Sequence, residues 1–214
     1  GFTGGTVDKL ESIPGFRTEL SPEEFVDRVN TDGIAIIGQS ARIAKADKLL
    51  YALRDVTATM ENIGLIAASI MSKKLAAGSD AILLDVKCGS GAFLDSFEEA
   101  EKLSQLMVDI GNDAGKKTVA VITDMSQPLG EAIGNAMEVM EAMEVLKGGG
   151  SEDIRELSVF LSGLMIYLGG KAENPEEGKE RASVVLEDGS ALETFRRMVQ
   201  GQGGNPKVIE DYHI

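Results

Sequence analysis

A chain of 214 residues suffices for one sizeable domain or one and a half, and with 43% hydrophobic residues, 5% aromatics and no Trp its core must be built from Ile, Leu, Val, Ala and Met. Asp and Glu outnumber Lys and Arg 35 to 21, and the net charge of -14 repels nucleic acid and anionic membranes at long range, so local groups must capture any anionic substrate. The single cysteine, Cys88, excludes an internal disulfide and fits a reducing cytoplasm, and no apolar run is long enough to span a bilayer.

Gly1 to Asp8 (GFTGGTVD) reads as a Gly/Thr turn leading into a short helical or irregular segment. It shows no signal peptide, and its start on a glycine-rich turn without Met is read as the mark of a fragment. The glycines let the backbone approach an anion and the Thr hydroxyls can donate to phosphate oxygens, yet T-G-G-T is equally a plain surface turn. Ile13 to Leu20 reads as a loop. Ser21-Pro22-Glu23-Glu24 then starts a helix, with Ser as the cap, Pro at the first helical position and acid in the first turn. Phe25, Val26 and Val29 give it a short apolar face. Gly33 to Gly38 (GIAIIG) is an apolar run bounded by glycines and predicts a buried strand.

A helix is predicted over 44–54, with Leu49, Leu50 and Leu53 as its stripe. Asp55 to Thr59 is a polar break offering N-cap candidates, and the next helix runs to about Ala77 and stops at Gly78. Ile63, Ile66, Ala67, Ile70 and Met71 recur at helical spacing. Ser69 and Lys73 stack on one face at the shoulder of that stripe. Such a pair is either a ligand contact or a lysine snorkelling from a helix edge, and the residues alone favour snorkelling.

Asp80 to Val86 (DAILLDV) is the strongest strand, nearly continuous in apolar residues as in a parallel sheet covered on both faces. The turn after it, Lys87 to Phe93 (KCGSGAF), sits where α/β folds place ligands. It is neither a full G-x-G-x-x-G nor a Walker motif. Cys88 has no histidine near it in sequence, and Lys87 reads as a packing or turn residue. A helix follows over 97–114, then a β-branched strand, Lys117 to Thr123, and a loop from Asp124 to Gly130. Further helices are predicted over 131–146, over 152–168 with Leu157, Leu161, Leu164 and Met165 inward, over 175–186 and over 190–200. Gly201 to Pro206 reads as a flexible link, and no closing element is evident before Ile214. Strands alternating with helices from Gly33 onward predict an α/β fold with a mostly parallel sheet flanked by helices.

The strings TGGTVDKLESIPGF (3–16), AIIGQ (35–39), ADKLLYALRDVTATMENIGLIAASIMSKKLAAGSDAILLDVKCGSGAF (46–93) and TDMSQPLGEAIGNAMEVMEA (123–142) resemble the pyrimidine nucleoside phosphorylases, the group that includes thymidine phosphorylase. The match covers nearly the whole chain in the family's order and spacing. It implies phosphorolysis of pyrimidine (deoxy)nucleosides to free base and pentose 1-phosphate. The cofactor set it implies holds nothing organic, inorganic phosphate as co-substrate, and a monovalent or divalent cation in some members. It also implies part of a small all-helical domain (41–78) beside an α/β domain (1–40 and 79–214), and a homodimer in the full-length protein. By resemblance Arg54, Ser69 and Lys73 hold the pyrimidine's carbonyl oxygens and ring N–H, with Arg54 and Lys73 also catalytic through the charge that builds on the leaving base. Thr6 resembles a phosphate contact, and Leu129, Ala132 and Glu141 resemble a cation site. A Lys-His-Ser-Thr-Gly-Gly loop that the family carries upstream is absent from this sequence, and Phe2 stands where the family usually has His. On that basis the piece is expected to be inactive alone. Two alternatives remain: a non-catalytic folded or dimerisation core, and a related phosphoribosyltransferase.

Overall fold

The computed structural model describes residues 5–38, 46–47, 49–50, 53, 57, 59 and 62–213. Its elements run α1 (Thr6–Leu10), α2 (Pro22–Asp32), α3 (Ile63–Ala76), β1 (Ala81–Cys88), α4 (Phe97–Asp113), β2 (Lys117–Asp124), α5 (Asn135–Leu146), α6 (Glu152–Leu168), α7 (Pro175–Glu187), α8 (Ser190–Gly201) and a closing 3-10 turn (Pro206–Ile209). The fold is α/β. The chain divides into two compact units: Gly1–Gly38 with Gly130–Gly163 and Lys179–Ile214, and Gln39–Leu129 with Leu164–Gly178.

The second unit holds the sheet. β1 and β2 pair in parallel, Ala81 opposite Lys117 through Cys88 opposite Asp124. Alternation sends Ile82, Leu84 and Val86 to one face, where they pack with Ala67 and Met71 of α3 and with Ala100, Leu103 and Met107 of α4. Asp85 and Lys87 take the opposite face. There the Lys87 ammonium donates to the Thr123 hydroxyl at 2.9 Å and pairs with Asp85 at 2.7 Å, so Lys87 is tied down within the sheet. α4 is capped by Ser96, whose side chain accepts from Glu99 N. α3 starts later than the sequence predicts. Asn62 is its cap, accepting from Leu65 N at 3.0 Å, while Thr57 lies in a turn and Thr59 outside any helix. Of the helix predicted over 44–54, residues 46, 47, 49, 50 and 53 are helical and the others lie outside the described residues.

The first unit is helical around Leu10, Ile13, Phe16, Val139, Met143, Met198, Val199, Val208 and Ile209. α2 begins as its sequence demands: Ser21 accepts from Glu24 N, the Glu24 carboxylate returns to Ser21 N, and Pro22 opens the helix. Gly33–Gly38 is not a strand, and its residues from Ile34 to Gly38 are partly exposed. Its backbone finds a side chain in place of a neighbouring strand. Gln202, fully buried, accepts from Ile36 N at 2.8 Å and donates to Ile36 O at 2.8 Å and to Arg17 O at 2.7 Å. One amide thus satisfies both backbone polar groups of Ile36, while Gly38 N donates to Thr18 O at 3.0 Å.

Three further expectations are corrected. The helix predicted from Glu131 begins at Asn135, because the chain from Gly130 to Gly134 is shaped by the Glu141 carboxylate. Met165 of α6 faces solvent at 62% exposure, while Val159 and Gly163 are buried in that helix. Gly201–Pro206 is no flexible link: Gly204 N donates to Val199 O at 2.8 Å and Asn205 N to Pro14 O at 2.9 Å, and the 3-10 turn that follows buries Val208 and Ile209.

Candidate functional site

Ser69 and Lys73 meet on α3. Four residues of helix bring them onto one face, and the Lys73 ammonium donates to Ser69 Oγ at 2.9 Å. The same ammonium pairs with Asp47 at 2.7 Å. Asp47 is only 13% exposed at its side chain, and Ser69 is buried. Asp47 was not among the sequence-predicted residues; Arg54, which was, lies outside the described residues.

Two bonded donors leave Lys73 one further N–H. Since Ser69 Oγ accepts from the lysine, its own hydroxyl proton is available to another acceptor. The pair therefore offers an N–H and an O–H side by side, which suits a ligand oxygen. Both residues line a cavity of about 570 Å³, together with Ile66 and Ile70 of α3, the edge of β1, Phe93 of the following turn and Met125. Apolar walls with a few polar groups suit a small, partly apolar ligand.

The glycine turn after β1 is shaped by backbone packing. Gly91 N donates to Met125 O at 2.9 Å and Met125 N to Cys88 O at 2.7 Å, joining the loops that leave β1 and β2. Gly89 has φ +127, and a Cβ there would lie 2.5 Å from Ser126 Oγ, so only glycine fits. Asp124 caps the second loop. Its carboxyl is held below the usual carboxylate range by hydrogen bonds from the Ser126 hydroxyl and amide. Cys88 is a free, partly buried thiol.

Thr6 opens the five-residue helix α1 and is exposed. Lys9, one turn on, forms an ion pair with Glu138 of α5. That contact holds the Glu138 carboxyl below its ordinary value, with help from Gly134 N.

Ala132 and Glu141 are brought together. The Glu141 carboxylate accepts from Glu131 N at 2.8 Å and from Ala132 N at 3.1 Å. Gly130, at φ +74, folds the chain over it; a Cβ there would lie 2.5 Å from Glu141 Oε2. Leu129 is 48% exposed and belongs to the other unit. Among the described residues no three His, Cys, Asp or Glu side chains converge as a metal cluster, and no helix is long and apolar enough to cross a membrane.

The sequence is 56% identical over 211 residues to a pyrimidine-nucleoside phosphorylase of Geobacillus stearothermophilus, across 99% of this chain and 49% of that protein. It is 54% identical over 211 residues to a protein of the same name from Bacillus subtilis (strain 168), and 53% identical over 210 residues to one from Staphylococcus haemolyticus (strain JCSC1435). The chain spans about half the length of these curated relatives, 48% to 49%. Residues 1–192 match the glycosyl transferase family, a/b domain, and the chain is a member of that family.

Proposed function

We propose that the chain carries the base-binding part of a phosphorylase that cleaves pyrimidine (deoxy)nucleosides with inorganic phosphate, releasing free base and pentose 1-phosphate, and that the 214-residue piece alone does not turn over. The observation that carries this reading is the Lys73–Ser69 pair, 2.9 Å apart on the wall of a largely apolar cavity. The relatives' name, pyrimidine-nucleoside phosphorylase, supports it independently.

Cleavage builds positive charge on the sugar and negative charge on the departing base. Lys73, and Arg54 with its forked donors, stabilise base oxygens more as that charge grows, which lowers the barrier rather than only tightening binding. Ser69 fixes the orientation of the ring. Thr6 contributes to the phosphate site, and phosphate needs positioning rather than activation.

The cation reading of Leu129, Ala132 and Glu141 belongs to the same proposal. Glu141 gives each of its oxygens to one backbone N–H and keeps lone pairs for a hard cation, with a backbone carbonyl such as that of Ala132 as co-ligand. A homodimer in the longer protein is supported by Leu49, Leu50 and Leu53, which are 75%, 60% and 55% exposed. The division into a helical segment over 41–78 and an α/β remainder, and a cytoplasmic setting, complete the reading.

Calorimetric titration with uracil or thymine tests the core of it. We expect saturable binding that Lys73→Ala and Arg54→Ala each weaken at least about tenfold, the scale of one lost charged hydrogen bond. Equal binding by wild type and both variants would overturn the assignment.

A further inference from the structure

We infer that Asp47 is the positioning residue of this site: it acts through Lys73, holding the ammonium where it can meet a pyrimidine oxygen. The inference rests on the base-binding reading above and adds to it a residue from a different segment of the chain.

A lysine on a helix edge has a flexible four-carbon stem and, left alone, reaches for water. Lys73 does not. Its ammonium is bound on one side by Ser69 Oγ at 2.9 Å, from its own helix, and on the other by Asp47 Oδ2 at 2.7 Å, from a segment 26 residues earlier. Two anchors from two segments define a direction that either anchor alone would not. Lys73 is 32% exposed at its side chain and Asp47 13%, so the pair is shielded enough for geometry to count. What remains toward the ligand is one N–H and the Ser69 O–H. In this arrangement Asp47 makes no contact with the base. Removing it frees Lys73 to swing to solvent and withdraws the donor without removing the charge.

An ordinary structural ion pair predicts something different, and a double-mutant cycle separates the two. Uracil affinity is measured by calorimetry for the 214-residue chain, Asp47→Ala, Lys73→Ala and the double variant, with far-UV circular dichroism to check folding. If Asp47 acts through Lys73, Asp47→Ala weakens uracil binding about tenfold, and the double variant binds no more weakly than Lys73→Ala. Asp47→Asn, which keeps an acceptor oxygen, recovers part of the loss and protects the result should the alanine variant fold poorly. Losses from the two single substitutions that simply multiply, or an Asp47→Ala chain that binds as wild type or more tightly, would overturn the inference. Failure of the wild type to bind uracil would instead overturn the base-binding reading on which it stands.

Discussion

At the scale of single residues, what could be read from the sequence depended on how far apart the partners lie. Ser69 and Lys73 were identifiable because helical spacing alone puts them on one face, and the structure joins them at 2.9 Å. Asp47 was not, because nothing local tells a carboxylate which ammonium it meets 26 residues away. The snorkelling reading of Lys73 likewise took no account of a carboxylate from another segment. Lys9 and Glu138 are a second such pair, and they fix the short helix that begins with Thr6. Their contact has a pH signature. The Glu138 carboxyl lies below its ordinary 4.5, mainly because Lys9 hydrogen-bonds it. A carboxyl depressed in the folded state adds stability above its unfolded value, and that contribution disappears as pH falls through the folded value. Both side chains are about one-third exposed, so the gain is small, below about 1 kcal/mol. Thermal melts should therefore show Glu138→Gln slightly less stable than wild type at pH 7, with the gap closing as the pH drops well below 4.5. A gap that persists in acid would mean that the charge is not what holds the helix.

Among the elements, those with local grammar were legible. The Ser21-Pro22-Glu23-Glu24 start folds as its residues dictate, and the continuous apolar run before Lys87 becomes β1, paired in parallel with β2. The bounds of α6 match the sequence reading, while Met165 was assigned inward and points out. A helix's apolar stripe states its width but not what covers each rim. Gly33–Gly38 is the instructive miss. Its composition suits a strand, but the hydrogen-bonding partner of Ile36 at its middle is the side chain of Gln202, 166 residues away. No period in the sequence announces that. The same glutamine explains why Gly201–Pro206 is pinned, since it anchors the start of that segment. Gln202→Ala would strand Ile36 N, Ile36 O and Arg17 O together. We expect about 3 kcal/mol of destabilisation, read as a clear drop in urea midpoint, with faster amide exchange at Ile36. A loss below about 0.5 kcal/mol would show that the run is held by its apolar contacts alone.

At the scale of the whole molecule, the fold class and family were legible because long strings carry them, and the match spans residues 1–192. The chain divides into two units, and the proposed roles divide with it: Ser69 and Lys73 belong to one, Thr6, Ala132 and Glu141 to the other. A net charge of -14 makes local capture of oxygen-rich ligands necessary, and the Lys73–Ser69 pair, anchored by Asp47, is the local device we propose for the base. That claim is tested most directly by the position of a bound base. In a crystal structure of the 214-residue chain with uracil, we expect the ring in the cavity beside α3, between Ile66 and Phe93, with a carbonyl oxygen in hydrogen-bond reach of Lys73 Nζ or Ser69 Oγ. Uracil bound elsewhere, or the cavity empty at a concentration that saturates binding in solution, would contradict it.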